Sequence, residues 1–208
     1  MTTPLGNLEI LEHSGRRVSV RRETRETRVT VELDLDGAGE GMIQTGVGFY
    51  DHLLASLAHH ALFDLRIEAS GDVDVDDHHT VEDVALVLGA ALAEALGDRG
   101  GIARFGDAAV PMDESLATAA VDVGGRPYAI VDLPFIGERV GGLTLQNVGH
   151  AIEAFARSAS ATIHVRGSGR NDHHLAEAAF KALARALRAA CAPDPRRTGI
   201  ASTKGSAG

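Results

Sequence analysis

The chain is poor in cysteine, aromatic residues and long apolar runs, and each shortage excludes a class of protein. The single cysteine, Cys191, excludes an intramolecular disulfide, and 4% aromatic residues without tryptophan predict a core of Ala, Val, Leu and Ile. Neither a signal peptide nor an apolar run of roughly 18 residues is present, so we expect a cytoplasmic protein that does not span a membrane. The formal net charge of −9 disfavours nucleic acid as the main partner.

What remains is typical of a globular domain. The 208 residues are 44% hydrophobic and 24% charged, which is enough to bury one sizeable core or two small ones. The segment from Arg16 to Arg28 is locally basic, which predicts either a solvated strand face or a contact between subunits.

One short string occurs twice. The sequence Asp-His-His-x-x-Glu is found at Asp77–Glu82 and again at Asp172–Glu177. Imidazole and carboxylate are ligands that divalent metals such as Zn, Mn, Fe and Ni accept. A single copy could be an exposed polar helix start, but two copies in register favour metal binding.

The spacing within the string has a geometric consequence. Residues four apart lie on one face of a helix, so His78 and Glu82 can bind one ion. The neighbouring His79 points roughly 100° away around the helix. The same holds for the second copy, with His173 and Glu177 on one face and His174 on another. Each copy is therefore expected to supply ligands to two different ions.

The duplication extends beyond this string. Ser70-Gly71 matches Ser168-Gly169, and a histidine, His52 or His150, precedes each serine by the same distance. A two-copy repeat of about ninety residues implies two similar subdomains related by a pseudo-twofold. We place the halves at residues 10–103 and 104–201, followed by a tail at 202–208. Four histidines without a histidine counterpart are expected to be ordinary surface or core residues: His13, His59, His60 and His164.

Pseudo-symmetry suggests how the ligands divide between two ions, each with three imidazoles and one carboxylate. The first set is His52, His79, His173 and Glu177. The second set is His78, Glu82, His150 and His174. Four ligands leave open positions on an octahedral ion, as a catalytic site requires. The spacing leaves open whether the halves that share an ion belong to one chain or to neighbouring subunits.

The hydrophobic pattern predicts an α+β fold in which each half is a sheet covered by two helices. Asp77 is expected to be an N-cap. In the first half, strands are expected near 29–35 and 65–69, with helices at 47–61 and 78–96. In the second half, strands are expected near 115–123, 127–133 and 160–166, with helices at 145–158 and 172–191. Composition alone predicts an unstructured segment from Pro193 onward.

Several strings together carry a family resemblance. The two Asp-His-His-x-x-Glu copies, with Gly48–Leu54, Arg104–Gly106 and Ser202–Gly205, resemble imidazoleglycerol-phosphate dehydratases over nearly the whole chain. The resemblance implies a monofunctional lyase of histidine biosynthesis that removes water from imidazole glycerol phosphate to give imidazole acetol phosphate. It also implies two Mn²⁺ per subunit, and a homo-oligomer of 24 subunits built from trimers, with manganese at subunit contacts.

The resemblance also implies roles for individual residues. Glu26 is expected to contact substrate and carry protons, with Glu114 as a weaker alternative. The tail is expected to become ordered over bound substrate, against its composition. The residues expected at the phosphate are Arg104, Arg126, Lys181, Ser202, Thr203 and Lys204. Residues of the two strings are expected to contact substrate as well: His78, His79, Glu82, His173, His174 and Glu177, together with His52.

Two other functions use the same ligands. A binuclear metal hydrolase would use them to activate water. A metal-storage or metal-delivery protein would use them without catalysis, and would have no need of arginine and lysine side chains beside its metals. For the dehydratase, the hydrogen lost lies on a carbon with no adjacent carbonyl, so the imidazole ring must accept the electrons.

Overall fold

The computed structural model of the protein describes residues 6–205, and each half forms a sheet with two helices. The elements of the first half are β1 (Leu8–Ser14), β2 (Arg17–Glu23), β3 (Thr27–Asp34), β4 (Gly41–Gln44), α1 (Gly48–Ala61), β5 (Asp64–Gly71) and α2 (His78–Leu96). Those of the second half are β6 (Phe105–Met112), β7 (Ser115–Asp122), β8 (Tyr128–Asp132), β9 (Arg139–Val140), β10 (Leu143–Thr144), α3 (Gln146–Ala159), β11 (Thr162–Ser168) and α4 (Asp172–Cys191).

The two sheets have the same topology. The first has the strand order β1-β2-β3-β5-β4 and the second β6-β7-β11-β8. In both, the last-named strand pairs in parallel with its neighbour and the other pairings are antiparallel. Without the extra edge strand β1, each half is one copy of the same unit. The predicted α+β fold with an internal duplication is confirmed.

The helices lie between the two sheets. Helix α2 packs on β2 and β3, whereas α4 packs on β6 and β7. The two helical layers then meet, α2 against α3 and α1 against α4, so that each of these contacts joins the two halves. Burying both helical layers in this way lets one continuous core serve both repeats.

Small aliphatic side chains fill this core, as the composition predicts. Apart from Glu82, every residue from Thr80 to Leu92 in α2 is buried. Cys191 is also buried, and burial raises the pKa of its thiol to about 12, so it serves as a small apolar residue. Across residues 6–205, no helix is both long enough and apolar enough to cross a membrane.

Several strands, among them β2 and β6, were not predicted from the sequence. In β2 only Val18 and Val20 alternate as buried residues among arginines, and β6 contains both Gly106 and Pro111. A proline is tolerated in β6 because this strand lies at the edge of its sheet. These strands are held by pairing with a neighbour rather than by an apolar pattern of their own.

One local prediction was confirmed in part and another was wrong. Asp77 occupies the N-cap position of α2, as predicted, but its side chain makes no capping hydrogen bond. The segment after Pro193 is structured as far as Ala201, because Ile200 forms a β-bridge with Gly100 and the amide of Gly101 donates to the carbonyl of Gly199 at 2.9 Å. The tail is thus attached to the connection between the two halves.

A glycine in α2 sets how closely the helical layers approach, which leads to a stability prediction. A Cβ added to Gly89 would lie 2.5 Å from the carbonyl oxygen of Phe155 in α3. We expect Gly89→Ala to lower the free energy of unfolding by about 1–3 kcal/mol, because overpacking outweighs the helix propensity gained. The matched control is Gly149→Ala in α3. Within 4 Å, its added Cβ would meet only the side chain of Val131, at 3.6 and 4.0 Å. Urea unfolding should show that control at or above wild-type stability; equal effects of both substitutions would contradict the packing argument.

Candidate functional site

Three predicted ligands meet at the start of α4, in what we call the α4 cluster: His52, His173 and Glu177. The Nε2 atoms of His52 and His173 lie 2.6 and 3.0 Å from Oε1 of Glu177. One ligand atom from each residue lies within 4.8 Å of the others. His173 and Glu177 are one helical turn apart on α4, whereas His52 comes from α1 in the other half.

The carboxyl group of this cluster, on Glu177, has a lowered pKa and is ionised at neutral pH. The Glu177 side chain is only 8% exposed, and burial alone would raise its pKa. The ammonium of Lys181 and the rings of His52 and His173 donate to the carboxylate and instead lower its pKa to about 2. Phe49 lies against this group, with its ring centroid 4.7 Å from that of His173. The carboxylate is therefore charged and ready to bind a cation at any physiological pH.

A second group, the α2 cluster, repeats the arrangement: His78, Glu82 and His150. The Nε2 atom of His150 lies 3.4 Å from Oε1 of Glu82, and that of His78 lies 4.0 Å from Oε2. The rings of His78 and His150 stack with centroids 4.8 Å apart. Here His78 and Glu82 lie one turn apart on α2, and His150 comes from α3.

The histidines of the α2 cluster are oriented toward a common point. Nδ1 of His78 lies 3.2 Å from Oδ1 of Asn147, so an N–H at Nδ1 can donate there and leave Nε2 free to accept a metal. Nε2 of His150 is buried and has no hydrogen-bond partner among residues 6–205. A buried ring nitrogen without a partner is costly unless a ligand satisfies it.

Both clusters fit a divalent cation. Each offers two imidazoles and one carboxylate, a donor set suited to borderline metals such as manganese, iron and zinc. Each draws ligands from both halves of the chain, through the α1–α4 and α2–α3 contacts respectively. Three ligands leave open positions, which suit catalysis better than a closed structural shell.

The fourth member of each predicted set lies elsewhere in the chain. Nδ1 of His79 is 3.0 Å from Oδ2 of Asp72, and Nδ1 of His174 is 2.9 Å from Oε2 of Glu114. These carboxylates accept hydrogen bonds from the rings and so raise the pKa of both histidines. Within one chain, the structure thus brings together three of the four residues in each set. The four histidines expected to be ordinary lie in neither cluster.

The two carboxylates considered for proton transfer differ in their surroundings. Glu114 is held by His174, the hydroxyl of Ser115 and the amide of Asn171, and the hydrogen bond from His174 is the main reason that its pKa falls to about 2. Glu26 is 57% exposed, and its nearest charged neighbour is His79 at 3.8 Å. Glu26 is therefore the freer of the two.

Two arginines predicted for the phosphate meet at Asp122, next to the point where the tail from Ser202 to Lys204 begins, and we call Arg104, Arg126 and this tail the basic cluster. Asp122 organises it, since Arg104 donates to both of its carboxylate oxygens at 2.7 and 2.9 Å. Nη1 of Arg104 also donates to the carbonyl of Ala201 at 2.6 Å, which fixes the start of the tail. Arg126 is 68% exposed and lies 4.0 Å from Asp122.

The basic cluster and the metal motif of α4 lie at opposite ends of the second sheet. Asp122 pairs with Thr162 at the beginning of β11, whereas α4 follows Ser168 at its end. The seven residues of β11 span about 20 Å. Lys181 is not in the basic cluster, because its ammonium is bonded to Glu177 in the α4 cluster.

Sequence reasoning missed two polar residues that support these groups. Asn147 orients His78, and the only signal for it is a polar residue just ahead of His150. Asp122 organises the basic cluster, and its one signal is its match to Asp34 in the repeat. Neither signal points to a function, because Asn147 and Asp122 each orient another side chain, His78 and Arg104 respectively.

The Asp122–Arg104 pair leads to a pH-dependent prediction. Burial would raise the pKa of Asp122, but the Arg104 guanidinium and the amide of Gly124 hold it below its ordinary value. The stabilisation from this pair is therefore present above about pH 4 and lost as the pH falls through the lowered pKa. Asp122→Asn should lower the free energy of unfolding by about 1–3 kcal/mol at pH 7, and the difference from wild type should shrink below pH 4.

Urea unfolding at several pH values measures this difference. Asp107→Asn on the neighbouring strand is the control, because Asp107 is exposed and makes no side-chain hydrogen bond within residues 6–205. A difference for Asp122→Asn that stayed constant down to pH 3 would contradict the assignment.

Comparison with known proteins shows the family of this chain. The family model described as imidazoleglycerol-phosphate dehydratase matches residues 45–187. Proteins of that name from Methanothermobacter thermautotrophicus and Methanoculleus marisnigri are 55% and 54% identical, covering 91% and 90% of this chain and 97% of each relative. A relative of the same name from a Mycobacterium species is 52% identical over 92% of this chain and 96% of its own length.

Solved structures give the same result. The imidazoleglycerol-phosphate dehydratase from Staphylococcus aureus is 35% identical with a TM-score of 0.74, covering 83% of this chain and 97% of that one. The Pyrococcus furiosus structure, in complex with (S)-C348, is 38% identical with a TM-score of 0.77, covering 89% of this chain and 99% of that one. The chain therefore belongs to the imidazoleglycerol-phosphate dehydratase family of lyases, which act in histidine biosynthesis.

Proposed function

We propose that the protein eliminates water from imidazole glycerol phosphate to give imidazole acetol phosphate, using two Mn²⁺ ions per subunit. The observation that carries the proposal is the pair of clusters, α2 and α4, each with two imidazoles and one carboxylate drawn from both halves. Two cation sites related by a pseudo-twofold suit a substrate ring that has two nitrogen atoms. Family membership supports the reaction class.

The metals would favour the imidazole ring of the substrate as the electron sink that this reaction requires. His52, His173 and Glu177 would hold one ion, and His78, Glu82 and His150 the other. When bound, the ions act as Lewis acids and as a template for the azole ring. The charged Glu177 and the unpartnered Nε2 of His150 are the features that fit a cation best.

We propose that a neighbouring subunit completes each site. His79 and His174 lie outside the clusters of their own chain, yet both are partly exposed beside the same helix starts. A symmetric oligomer would let each chain lend these rings to a partner. The outer face of the second sheet exposes Phe105, Leu116 and Tyr128, which suits burial between subunits. This supports a large homo-oligomer, with 24 subunits built from trimers as the expected form.

The basic cluster would bind the phosphate. The guanidinium of Arg126 is exposed and close to Asp122, and Lys204 lies on the exposed end of the tail. Guanidinium groups and a lysine are suited to a phosphomonoester. Because Arg104 holds the carbonyl of Ala201, it places Ser202 and Thr203 beside the same cluster.

Glu26 is our choice for the proton carrier. Its carboxylate accepts no hydrogen bond within the described residues, so it is free to exchange a proton with substrate. Glu114, by contrast, is tied up by several donors, which keep it anionic and weakly basic. His79, 3.8 Å from Glu26, links this carboxylate to the expected metal ligands.

Incubation with Mn²⁺ and imidazole glycerol phosphate tests the proposal. Ketone product without released phosphate is expected. Release of inorganic phosphate would identify a hydrolase instead, and metal uptake without either product would identify a storage protein.

The proposed role of Glu26 leads to a prediction about activity. Glu26→Gln should lower kcat by about 10²–10⁴-fold, because the amide cannot transfer the proton, while leaving Mn²⁺ content unchanged. Glu32→Gln, on the adjoining strand β3, is the matched control and should keep wild-type kcat. Full activity of Glu26→Gln would remove Glu26 from proton transfer and leave Glu114 as the candidate.

The two proposed cation sites lead to a prediction about metal stoichiometry. The wild-type protein should bind two Mn²⁺ per chain, while Glu82→Gln and Glu177→Gln should each weaken one site by at least about tenfold, because a neutral amide is a poorer ligand. Titration followed by electron paramagnetic resonance counts the ions. Glu153→Gln, an exposed glutamate of α3, should still bind two. Retention of both ions at full affinity in both variants would contradict the assigned ligands.

A further inference from the structure

The side chain of the aspartate that opens each Asp-His-His-x-x-Glu string neither belongs to a cluster nor caps its helix. The Asp77 side chain is only 4% exposed. Its Oδ2 accepts from the amide of Thr144 at 2.8 Å, and its Oδ1 accepts from the Thr144 hydroxyl at 2.6 Å and from Arg139 at 3.2 Å. All these donors belong to one segment just before α3.

Asp172 makes the same kind of contact from the other repeat. Its Oδ1 accepts from the amide of Ile136 at 3.0 Å, and its Oδ2 accepts from the amide of Gly137 at 2.6 Å. The capping of α4 is done by Asn171, whose side chain accepts from the amides of His173 and His174. The repeated aspartate thus has a task separate from helix formation in both halves.

Both aspartates hold the same segment, which we call the strap: residues 133–145, between β8 and α3. The corresponding connection in the first half, between β4 and α1, is only residues 45–47. The strap carries the small β9–β10 pair and has no counterpart in the first half. It therefore breaks the pseudo-twofold, yet it is fastened by the residue that the two repeats share.

The strap lies next to both clusters. A Cβ on Gly141 would be 3.7 Å from Cβ of Phe49, the residue whose ring lies against His173 in the α4 cluster. At its other end the strap leads into α3, where Asn147 contacts His78 in the α2 cluster. One segment thus joins the starts of α2 and α4, from which two ligands of each cluster project.

We propose that Asp77 and Asp172 are positioning residues, which hold the strap across the starts of α2 and α4 and thereby keep both clusters in a metal-binding geometry. This inference rests on the metal-binding part of the proposed function. Charged acceptors suit the task, because backbone amides that leave water need a partner and a carboxylate can accept from several donors.

The test uses Asp77→Asn and Asp172→Asn. In each variant one carboxylate oxygen becomes an NH₂ group that faces a donor of the strap, so a hydrogen bond is lost with almost no change in volume. Thr144→Val removes a donor from the strap side and leaves both helix starts intact, in case the asparagine variants fail to fold. Asp132→Asn is the matched control, since Asp132 ends β8 beside the strap, is exposed and makes no side-chain hydrogen bond in the described part of the chain.

Two measurements on the full-length protein decide the matter. Hydrogen exchange of the peptide covering the strap, in metal-free protein, should be at least about tenfold faster in the asparagine variants and in Thr144→Val than in wild type and Asp132→Asn. Mn²⁺ titration by electron paramagnetic resonance should show affinity reduced by about 10–100-fold, as for other residues that orient metal ligands.

Unchanged exchange of the strap would overturn the proposal. Faster exchange with unaltered Mn²⁺ affinity would also overturn it, because the aspartates would then serve stability alone. Failure of the proposed reaction is a separate outcome, since neither measurement involves the substrate: wild-type protein that binds Mn²⁺ without forming ketone would leave the positioning role intact.

Discussion

Both clusters depend on one packing constraint: helices from different halves must meet so that a histidine on one faces a histidine and a glutamate on the other. The α1–α4 contact brings His52 to Glu177, and the α2–α3 contact brings His150 to Glu82. Neither half alone contains a complete cluster. The contacts that join the two halves through their helices are therefore also the contacts that assemble both clusters, which ties folding of the duplicated unit directly to the candidate site.

Small residues make this interface possible. Gly89 lets α2 approach the backbone of α3 around Phe155, and alanines fill much of the buried surface of α4. A wider separation of the layers would move His150 away from Glu82 by a comparable distance. The low aromatic content of the chain thus has a structural reason, because bulky side chains would hold the two helical layers apart.

The sequence predicted the parts of the fold that follow from periodicity. Helical spacing in α2 and α4 placed His78 with Glu82 and His173 with Glu177, and the repeat identified His52 and His150 as their partners. It did not predict β1, β2, β4 or β6, because these strands have little apolar alternation of their own. The contacts of His79 with Asp72 and of His174 with Glu114 were also missed, since they depend on how the loop before α2 and the turn between β6 and β7 fold against the helix starts.

The sequence also did not predict the roles of residues that hold another side chain or segment in place. Asp122, Asn147 and Asp77 each hold another side chain or segment in place, and although the repeat marks Asp122 and Asp77, it does not show which groups they contact. For Asp77, helix-start statistics favoured a cap, but the donors of Thr144 lie within reach only after both halves have packed. Such roles depend on tertiary contacts between residues far apart in the chain, so no local sequence pattern can predict them.

The two halves are also not equivalent, and the difference bears on which glutamate carries protons. In the first half, buried Asp83 on α2 pairs with Arg22 and Thr27 and so fixes the strand that follows Glu26. The aligned residue on α4 is Ala178, which offers no such anchor. There Glu114 itself takes the structural hydrogen bonds, from Ser115 and Asn171. Anchoring by a separate residue leaves the Glu26 carboxylate free of structural hydrogen bonds among the described residues, as the proposed proton carrier requires, whereas Glu114 takes such bonds itself.

The distance between the clusters and the basic cluster makes assembly part of the proposed site. A strand of about 20 Å separates Asp122 from the start of α4, which is longer than a small phosphorylated imidazole can span. If the ring binds between the metals, the phosphate must meet the arginines of another chain. The same assembly would bring His79 and His174 to a partner's clusters. One arrangement of subunits would thus supply both the phosphate-binding arginines and the fourth ligand of each cluster. An isolated chain would then hold the parts of the site without forming it, and catalysis would require the oligomer.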